Sequence, residues 1–496
     1  MDAPKMHSTA MFPRLLDAPE KRAVEMPDGC LSYAELDGAA ASVAARLPAD
    51  GPLALWATPS LATVVGLLAG LRAGTPLIPL NPKSGELELA HVIGDAKPSA
   101  VLAAADVRLP RALAATARID VGARADDDAV AADRSAGTGA PPPDTHPALI
   151  MYTSGTTGPP KGVVQTHGSL VANLDALSEV WGLTSADRLV HALPLFHVHG
   201  LVLATIGPLR FGGTVRHVGS FAVASVAQAL QEGATVLYAV PTMYRRLLAA
   251  AEHDRRIADA LRRARLLVSG SAALAVDVHA GIERLSGHAV VERYGMTETL
   301  IISSTRPGER GRPGYVGRAL PGVHVRVRDD DGAEVPCDDT AIGSVWVRGP
   351  SVFERYVDRE PPAAESSRDG WFQTGDLAAV AADGALRLVG RSSSDLIKSG
   401  GYRIAAGEIE SALRAHPAVS EAAVRGMPDA ELGERVVAWV VPAAGASAAA
   451  VADGELIDHV ARQLTPHKRP REIHRVASLP RNELGKVQKQ LLDRPS

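Results

Sequence analysis

The chain has 496 residues, of which 46% are hydrophobic and 22% charged, as is ordinary for a soluble globular protein of roughly three domain-sized units, or one large and one small. Its net charge of −4 argues against a protein that binds nucleic acid through bulk positive charge, and its two cysteines, Cys30 and Cys337, exclude a disulfide framework. The N-terminus lacks the apolar core of a signal peptide and the longest apolar run, Leu61 to Leu71, is too short to span a bilayer, so we expect a cytoplasmic protein without membrane contact.

The first 145 residues alternate short apolar strands with helical stretches, which is typical of βαβ units in an α/β sheet. Helices are predicted to start at Ser32, to run from Ser60 to Ala73 and to lie near residues 86–93. The segment from Gly122 to Asp144 is polar and rich in Pro and Gly, and it is predicted to be a solvated connector.

A loop of hydroxyls and glycines follows, with a predicted strand at residues 148–152 before it and another at 163–167 after it. Its sequence is Thr153-Ser-Gly-Thr-Thr-Gly-Pro-Pro-Lys161-Gly162. Glycines let successive N–H groups point at an anion, hydroxyls add donors, and Lys161 adds a mobile positive charge, so the pattern indicates a polyphosphate site. The Walker motif does not fit, because Pro160 precedes the lysine and Gly162 follows it. A surface turn is the alternative.

A histidine motif comes next, running from His191 to Gly200 and containing His197 and His199. A His-x-His pair on a strand would place both imidazoles on one side and could bind a metal, but no third ligand is evident. Two hydrogen-bonded histidines in the core are the other interpretation.

The remaining motifs follow in order. Small residues, Ser271-Ala272-Ala273, end a predicted strand, and Glu292-Arg-Tyr-Gly-Met-Thr-Glu298 comes after them. A hairpin is predicted from Val323 to Val347, turned at Asp329–Gly332. Last come Trp371-Phe-Gln-Thr-Gly-Asp376, Gly390-Arg391, a serine-rich linker at residues 392–395, Lys398-Ser-Gly-Gly-Tyr402 and Pro480-Arg-Asn-Glu-Leu-Gly-Lys486.

The loop at residues 153–162 resembles the Ser/Thr-Gly-Thr-Thr-Gly-x-Pro-Lys-Gly signature of the adenylate-forming acyl-CoA synthetase superfamily. In all, five motifs of that superfamily occur in the right order over residues 153–486. The resemblance implies an α/β fold with a large domain (residues 1–391) of mixed and parallel sheets, helices and a β-barrel-like part. A hinge at residues 392–395 and a small mobile α+β domain at 396–496 would follow. No carrier-protein module is visible after Lys486, so we expect a free-standing enzyme.

The same resemblance implies ATP, Mg²⁺ and coenzyme A as ligands. Catalytic roles fall on Lys486, Thr297, Lys161 and Glu298, the last as the Mg²⁺ ligand. The implied ATP and AMP contacts are Thr153, Ser154, Gly155, Thr156, Thr157, Gly158, Lys161, Ser271, Ala272, Ala273, Tyr294, Gly295, Thr297, Asp376 and Arg391. The implied CoA contacts are Lys398, Ser399, Gly400, Gly401 and Tyr402. The hinge is placed at Ser394 or Asp395, and one extra residue between Arg391 and Arg403 blurs its position.

The acyl substrate is predicted from Arg293, which adjoins Tyr294 in the part of its motif that faces the acyl pocket of the resembled family. An unpaired buried guanidinium is costly, so Arg293 beside His197 and His199 suggests a second carboxylate on the acid. Met296 and Arg246 complete the predicted contacts, with Arg246 as the reserve cation. The chain is thus most similar to the malonyl-CoA synthetases of the superfamily, which use malonate and often methylmalonate. The alternative is that Arg293 pairs with a protein carboxylate such as Glu292.

Two other functions share most of these motifs. A stand-alone adenylation enzyme, or a CoA ligase for an aryl, short-chain fatty or amino acid, would keep every phosphate motif but take another acid. An amino-acid substrate is disfavoured because relatives that activate one carry an Asp near Phe196 to hold the ammonium group, and this chain has none there. A non-catalytic ATP sensor would bind ATP without releasing pyrophosphate, and Lys486 counts against it.

Overall fold

The computed structural model describes residues 10–123, 141–153, 160–309, 312, 314–357, 369–391, 396–399, 402–443, 451–464, 466–481 and 487–492. Most of the predicted connector at 122–144 therefore lies outside the described residues, as does the linker at 392–395.

The described residues form 25 strands. In chain order they are β1 Arg22–Met26, β2 Gly29–Ser32, β3 Leu53–Trp56, β4 Leu77–Leu80, β5 Ala100–Ala103, β6 Ala117–Asp120, β7 Pro147–Thr153, β8 Lys161–Thr166, β9 Arg188–His191, β10 Thr214–His217, β11 Val236–Ala239, β12 Leu266–Ser269, β13 Val291–Met296, β14 Leu300–Ser304, β15 Arg318–Ala319, β16 His324–Arg328, β17 Gly343–Arg348, β18 Arg355–Tyr356, β19 Phe372–Val380, β20 Leu386–Arg391, β21 Leu396–Ser399, β22 Tyr402–Ala405, β23 Val419–Asp429, β24 Gly433–Pro442 and β25 Glu472–Arg475.

Eleven α-helices are described. They are α1 Tyr33–Ala44, α2 Leu61–Ala73, α3 Glu86–Ala96, α4 His167–Trp181, α5 Gly207–Phe211, α6 Val223–Gln231, α7 Pro241–Ala251, α8 Arg255–Arg263, α9 Val276–Ser286, α10 Ala406–Arg414 and α11 Asp453–Gln463. A π-helical segment, His199–Ile206, leads directly into α5, and three short 3₁₀ turns lie at Arg111–Leu113, Pro466–Lys468 and Lys489–Leu491.

Two large sheets make up most of the N-terminal part. The seven-stranded sheet has the order β18-β8-β7-β4-β3-β5-β6, and the nine-stranded sheet has the order β15-β14-β13-β12-β11-β9-β10-β1-β2. Six neighbouring strands of the nine-stranded sheet are parallel to one another: β13, β12, β11, β9, β10 and β1. Their carboxyl ends therefore meet at one edge of the sheet, which is where α/β proteins bind ligands.

Helix α2 explains the long apolar run of the sequence. It contacts strands β3 and β5 of one sheet and strands β1 and β2 of the other, and every residue from Leu61 to Leu71 is buried. The helix is thus enclosed between two sheets, where an all-apolar surface is stable. No helix in the described ranges is long and apolar enough to cross a membrane.

Local signals set the ends of the first helices. Ser32 caps α1 through a capping box with Glu35, and Ser60 caps α2 by accepting a hydrogen bond from the backbone N–H of Thr63. Gly74 ends α2 with φ of 69°, a left-handed conformation that glycine adopts without steric cost. Both predicted helix starts are therefore confirmed.

A third, antiparallel sheet has the order β16-β17-β19-β20, and it contains the hairpin predicted from Val323 to Val347, with a longer connection than the predicted turn. The turn at Asp329–Gly332 is present, with the Asp329 carboxylate accepting backbone N–H groups of Asp331 and Ala333. The partner of β16 is, however, β17, which starts only at Gly343. Directly after the turn, only one isolated antiparallel bridge forms, between Arg328 and Glu334. Residues 333–342 therefore form a connection between β16 and β17.

The small C-terminal unit is an α+β layer. Strands β22-β21-β24-β23 form a sheet that β25 joins in parallel on β24, and α10 and α11 pack together. Helix α10 also contacts β20 of the large unit, where Arg387 lies 3.5 Å from the Glu408 carboxylate. The predicted fold class, a large mixed α/β unit with a small α+β unit, is confirmed. The boundaries at residues 391 and 396 remain a prediction.

Candidate active site

Strands β7 and β8 position the predicted phosphate loop. They pair antiparallel, and Thr153 opposite Lys161 is the last residue pair before the loop. The loop residues between them, Ser154, Gly155, Thr156, Thr157 and Gly158, lie outside the described residues. Strand β8 ends at Thr166 and His167 already begins helix α4, so the prediction that His167 ends the strand is wrong. The Thr166 hydroxyl accepts from the N–H of Ser169 and so starts the helix one residue earlier.

The predicted catalytic residues Thr297 and Glu298 lie in a tight turn between β13 and β14. A Cβ atom at Gly295 would lie 2.0 Å from the Leu300 carbonyl oxygen, so only glycine fits this close approach. The Gln165 side chain, fully buried on β8, donates a hydrogen bond of 2.7 Å to the Thr297 carbonyl. The turn is thus fixed to the strand that carries Lys161.

Tyr356 joins the two halves of this site. Its hydroxyl donates to Oε1 of Glu298 at 3.2 Å, and the Lys161 ammonium lies 4.9 Å from the centroid of its ring. Strand β18, which carries Tyr356, pairs with β8. Tyr356 was not predicted as a site residue, because it belongs to none of the motifs described above.

Three of the predicted nucleotide contacts lie close together on β13, β19 and β20. Tyr294 is buried and its hydroxyl donates to Oδ2 of Asp376 at 2.7 Å. Asp376 on β19 pairs in register with Arg391 on β20. The structure therefore brings Tyr294, Asp376 and the backbone of Arg391 together, although they come from three strands of two sheets.

Residues 271–273 follow the carboxyl end of β12 and are exposed. Ser271 has φ of 72°, a left-handed conformation that is uncommon outside glycine, and Ala272 and Ala273 continue the open segment. Next to it, the Glu292 carboxylate accepts a hydrogen bond from the Leu274 N–H at 3.3 Å. Burial raises the pKa of Glu292 to about 7. Glu292 is a second residue whose environment the sequence did not indicate.

Arg293 is the centre of a buried polar cluster. Its guanidinium lies against Gly270, where a Cβ atom would be 2.4 Å from Cζ, so the space is available only because residue 270 is glycine. His199 lies beside it, with Nδ1 3.4 Å from the Ser271 hydroxyl. Burial lowers the pKa of Arg293 to about 10, and burial together with the Arg293 charge lowers the pKa of His199 well below its ordinary value. The cluster thus carries one positive charge and a neutral imidazole.

Several polar atoms of this cluster have no hydrogen-bond partner among the described residues. They are Nε and Nη2 of Arg293, Nε2 of His199, Nε2 of His191 and Oγ of Ser269. These side chains come from β9, β12, β13 and the π-helical segment, and two of them, His191 and Ser269, are the last residues of strands that lie close to each other in one sheet. Buried polar atoms are nearly always satisfied, so such a group indicates a site that a polar ligand or water fills.

The alternative pairing of Arg293 with Glu292 finds no support in the described contacts. The two are neighbours on β13, and adjacent strand residues point to opposite faces. Glu292 bonds to Leu274, and the ion pairs of the described residues include none for Arg293.

The other predicted acyl contacts are more dispersed. His197 and His199 are not on a strand as the metal hypothesis required: His197 lies in a turn and His199 begins the π-helical segment. Within the described part of the chain, no group of three metal-binding side chains occurs. Burial lowers the pKa of His197 to about 4. Met296 packs on the aromatic cluster around Tyr356, and Arg246 lies exposed on α7 with its guanidinium 4.9 Å from the Phe221 ring centroid.

The predicted CoA contacts lie on the hairpin of β21 and β22, where Ser399 pairs with Tyr402 and Lys398 with Arg403. Gly400 and Gly401 lie outside the described residues, as do the hinge candidates Ser394 and Asp395 and the catalytic candidate Lys486. All these roles therefore stay predictions.

Comparison with known proteins identifies two family models in this chain. The model described as AMP-binding enzyme matches residues 14–357, and the model described as AMP-binding enzyme C-terminal domain matches residues 408–486. Among curated relatives, the malonate–CoA ligase of Arabidopsis thaliana is 35% identical over 480 residues, which cover 89% of this chain and 77% of the relative.

Solved structures agree with these matches. A malonyl-CoA ligase in a ternary product complex with methylmalonyl-CoA and AMP is 49% identical, with a TM-score of 0.71, and covers 95% of this chain and 100% of that one. ATP-bound MatB from Rhodopseudomonas palustris is 36% identical, with a TM-score of 0.87, and covers 97% of this chain and 98% of that one. The similarity therefore extends over both the large and the small unit.

Proposed function

The chain belongs to the AMP-binding enzyme family, and from this membership we propose that it is an ATP-dependent acid–CoA ligase acting on malonate and methylmalonate. The acid is joined to CoA through an acyl-adenylate, with release of pyrophosphate and then AMP. Malonate–CoA ligases stand among its relatives, and a related structure holds methylmalonyl-CoA and AMP. It is an AMP-forming acid–thiol ligase.

One observation carries the choice of acid. Arg293 is buried, its Nε and Nη2 atoms have no partner among the described residues, and no carboxylate of those residues forms an ion pair with it. A buried charge without a partner costs several kcal/mol, so a ligand must supply the anion. A carboxylate oxygen pair matches the guanidinium fork. Because the other carboxylate of the acid has to reach the nucleotide, the acid is a short dicarboxylate.

The proposed reaction has two steps, and the first brings two anions together. A carboxylate oxygen of malonate attacks the α-phosphorus of ATP, the bond to the β-phosphate oxygen breaks, and pyrophosphate leaves. The sulfur of CoA next attacks the acyl carbon, and AMP leaves with the electron pair. Two anions meet in the first step, so cations must be placed in advance. We assign this role to Lys161 beside the phosphates and to Lys486 at the carboxylate and α-phosphate.

Mg²⁺ fits the site through Glu298. Its carboxylate is buried and accepts a hydrogen bond from Tyr356, and carboxylate oxygen is the type of hard ligand that Mg²⁺ takes in proteins. A single protein carboxylate is sufficient when ATP phosphates and waters supply the remaining oxygens. When bound, Mg²⁺ neutralises phosphate charge. Glu298 would hold it, and Tyr356 and the backbone of the turn keep Glu298 in place.

The test is substrate selectivity of Arg293→Leu. We expect wild type to form AMP with malonate and methylmalonate in the presence of CoA, and the variant to lose on the order of a hundredfold in kcat/KM for these diacids. Activity with butyrate, which has no second charge, should fall far less or rise. The measurement is kcat/KM for malonate, methylmalonate and butyrate.

Two further variants serve as controls. Arg256→Leu removes an exposed arginine of α8 and should leave all three values unchanged, whereas Arg246→Leu tests the reserve cation. A wild type that prefers butyrate, or an Arg293→Leu variant that is weakened equally with all three acids, would show that the dicarboxylate proposal is wrong.

A further inference from the structure

Tyr356 is held between the two parts of the site by its backbone. Strand β18 pairs with β8, and the N–H of Val357 donates to the Gly162 carbonyl at 2.8 Å, directly beside Lys161. On the other side, the N–H of Phe353 donates to the Glu298 carbonyl at 2.7 Å. One short segment is therefore bonded both to the strand that carries the lysine and to the turn that carries the glutamate.

The side chain of Tyr356 also contacts the turn that carries Glu298. It is 2% exposed, and its ring packs on Phe353 at a centroid distance of 4.7 Å, which fixes its orientation. The hydroxyl donates to Oε1 of Glu298 at 3.2 Å. A hydrogen bond to a carboxylate that binds a metal orients that carboxylate, and removing such a partner costs roughly tenfold to a hundredfold in metal affinity or activity.

The ring face of Tyr356 is used as well. The Lys161 ammonium lies 4.9 Å from the ring centroid, within the range of a cation–π interaction. Lysine is a flexible point charge on a four-carbon chain, so a fixed aromatic face restricts where its ammonium can lie. The hydroxyl and the ring of one side chain therefore act on two different groups.

We propose that Tyr356 is a positioning residue that holds the metal-binding carboxylate of Glu298 and the phosphate-binding ammonium of Lys161 in one fixed geometry around ATP. The inference rests on the proposed function for the roles of Glu298 and Lys161. Through its hydroxyl, Tyr356 governs the affinity for the metal, and through its ring it governs the affinity for the phosphates. The two contributions are separable because they come from different parts of the side chain.

The first experiment uses Tyr356→Phe, which removes the hydroxyl and keeps the ring. Mn²⁺ binding to the full-length protein in saturating ATP is followed by electron paramagnetic resonance, and ATP binding in EDTA by calorimetry. We expect the Mn²⁺ dissociation constant to rise by about tenfold. Affinity for metal-free ATP should stay within about twofold of wild type, because the Lys161 contact is retained.

Tyr356→Leu removes the ring as well. We expect this variant to lose metal affinity like Tyr356→Phe and, in addition, to bind metal-free ATP roughly threefold to thirtyfold more weakly. Tyr315→Phe is the matched control, since Tyr315 also donates its hydroxyl to a carboxylate, that of Asp339 in the connection between β16 and β17. It should leave both dissociation constants unchanged. Thermal unfolding of each variant verifies that it is folded.

Three results would overturn the inference: Mn²⁺ affinity of Tyr356→Phe within about twofold of wild type, equal losses of Mn²⁺ and metal-free ATP affinity in that variant, or an equal effect of Tyr315→Phe. None of these measurements includes an acid. A wild type that binds Mn²⁺ and ATP but forms no AMP with malonate would overturn the proposed function, while the Tyr356 comparison would still decide the present inference. A wild type that binds no ATP would overturn both.

Discussion

Two neighbouring residues of β13, Arg293 and Glu292, are both buried and have side chains of opposite charge type. Arg293 has two guanidinium nitrogens without a hydrogen-bond partner among the described residues, and burial lowers its pKa to about 10. Glu292 faces the other side of the sheet, where burial raises its pKa to about 7. Burial disfavours the charged form of both groups, so each side chain is under electrostatic strain in the absence of ligand. We propose that a substrate anion relieves that strain for Arg293, whereas Glu292 can take up a proton.

Glu292→Gln should change how stability depends on pH. An unfolded glutamate titrates near 4.5 and the folded one near 7, so the folded state binds more protons between these values. The contribution of the protonated carboxyl is therefore fully present below pH 4.5 and is lost as pH rises through about 7, an effect of roughly 3 kcal/mol. Glutamine keeps the acceptor for the Leu274 N–H and does not titrate. We expect the variant to be more stable than wild type at pH 8.

Thermal midpoints measured in steps from pH 4.5 to pH 8 provide the comparison. Other carboxylates titrate in both proteins, so the difference between variant and wild type isolates Glu292. A difference that does not change with pH would show that Glu292 is ionised in the folded protein throughout this range.

At the scale of elements, the turn between β13 and β14 is the most constrained part of the site. Gly295 approaches the Leu300 carbonyl closely, Leu300 has φ of 53°, and Gln165 holds the Thr297 carbonyl. A positive φ is uncommon for a bulky residue such as leucine. Backbone strain of this kind persists only where neighbouring contacts enforce it. The turn is therefore rigid because three elements hold it.

Gly295→Ala should displace this turn. The added Cβ would lie 2.0 Å from backbone that cannot move aside without breaking the β13–β14 pairing. We expect a loss of about 1–3 kcal/mol in stability and a large fall in ATP-dependent pyrophosphate release, because Thr297 and Glu298 move with the turn. Thermal unfolding and a pyrophosphate assay measure the two effects.

Gly94→Ala is the matched control for Gly295→Ala. Gly94 lies within α3, and a Cβ atom there meets nothing within 4 Å. Alanine favours a helix over glycine, so this variant should be as stable as wild type or more so, with unchanged activity. Pyrophosphate release in Gly295→Ala equal to wild type would mean that the turn does not position the catalytic residues.

At the scale of the molecule, the small unit contacts the large one through a charged group. Glu408 on α10 lies 3.5 Å from Arg387 on β20 and also bonds to Lys468 of its own unit. The chain superposes better on the ATP-bound relative than on the product complex, although its sequence is nearer to the latter. That the small unit moves between half-reactions stays a prediction.

Lys486→Ala should separate the two half-reactions. One lysine cannot serve adenylation and also stand aside for the thiol, so its loss should reduce pyrophosphate release by on the order of a hundredfold or more. Synthetic malonyl-adenylate should still react with CoA in the variant. The two half-reactions are measured separately by pyrophosphate release and by thioester formation. Equal losses in both would exclude the two-configuration model.

The sequence by itself determined the family, the α/β class and the local elements. Capping at Ser32 and Ser60 and the strands around the phosphate loop depend on hydrogen bonds and periodicity within a few residues. The acid-selecting role of Arg293 stays a prediction. Mg²⁺ binding, the cytoplasmic location, the hinge and the domain boundaries remain predictions.

Only the tertiary structure decided which side chains meet. Tyr356 bonds to Glu298 from 58 residues away and lies under Lys161 on a different strand of the same sheet, and Tyr294 reaches Asp376 across two sheets. The metal hypothesis required His197 and His199 to lie on a strand, whereas His199 begins a π-helical segment and its ring centroid lies 6.0 Å from that of Tyr238. Such contacts depend on the order in which strands pair and on the space that residues such as Gly270 leave free. Neither is encoded in the spacing of residues along the chain.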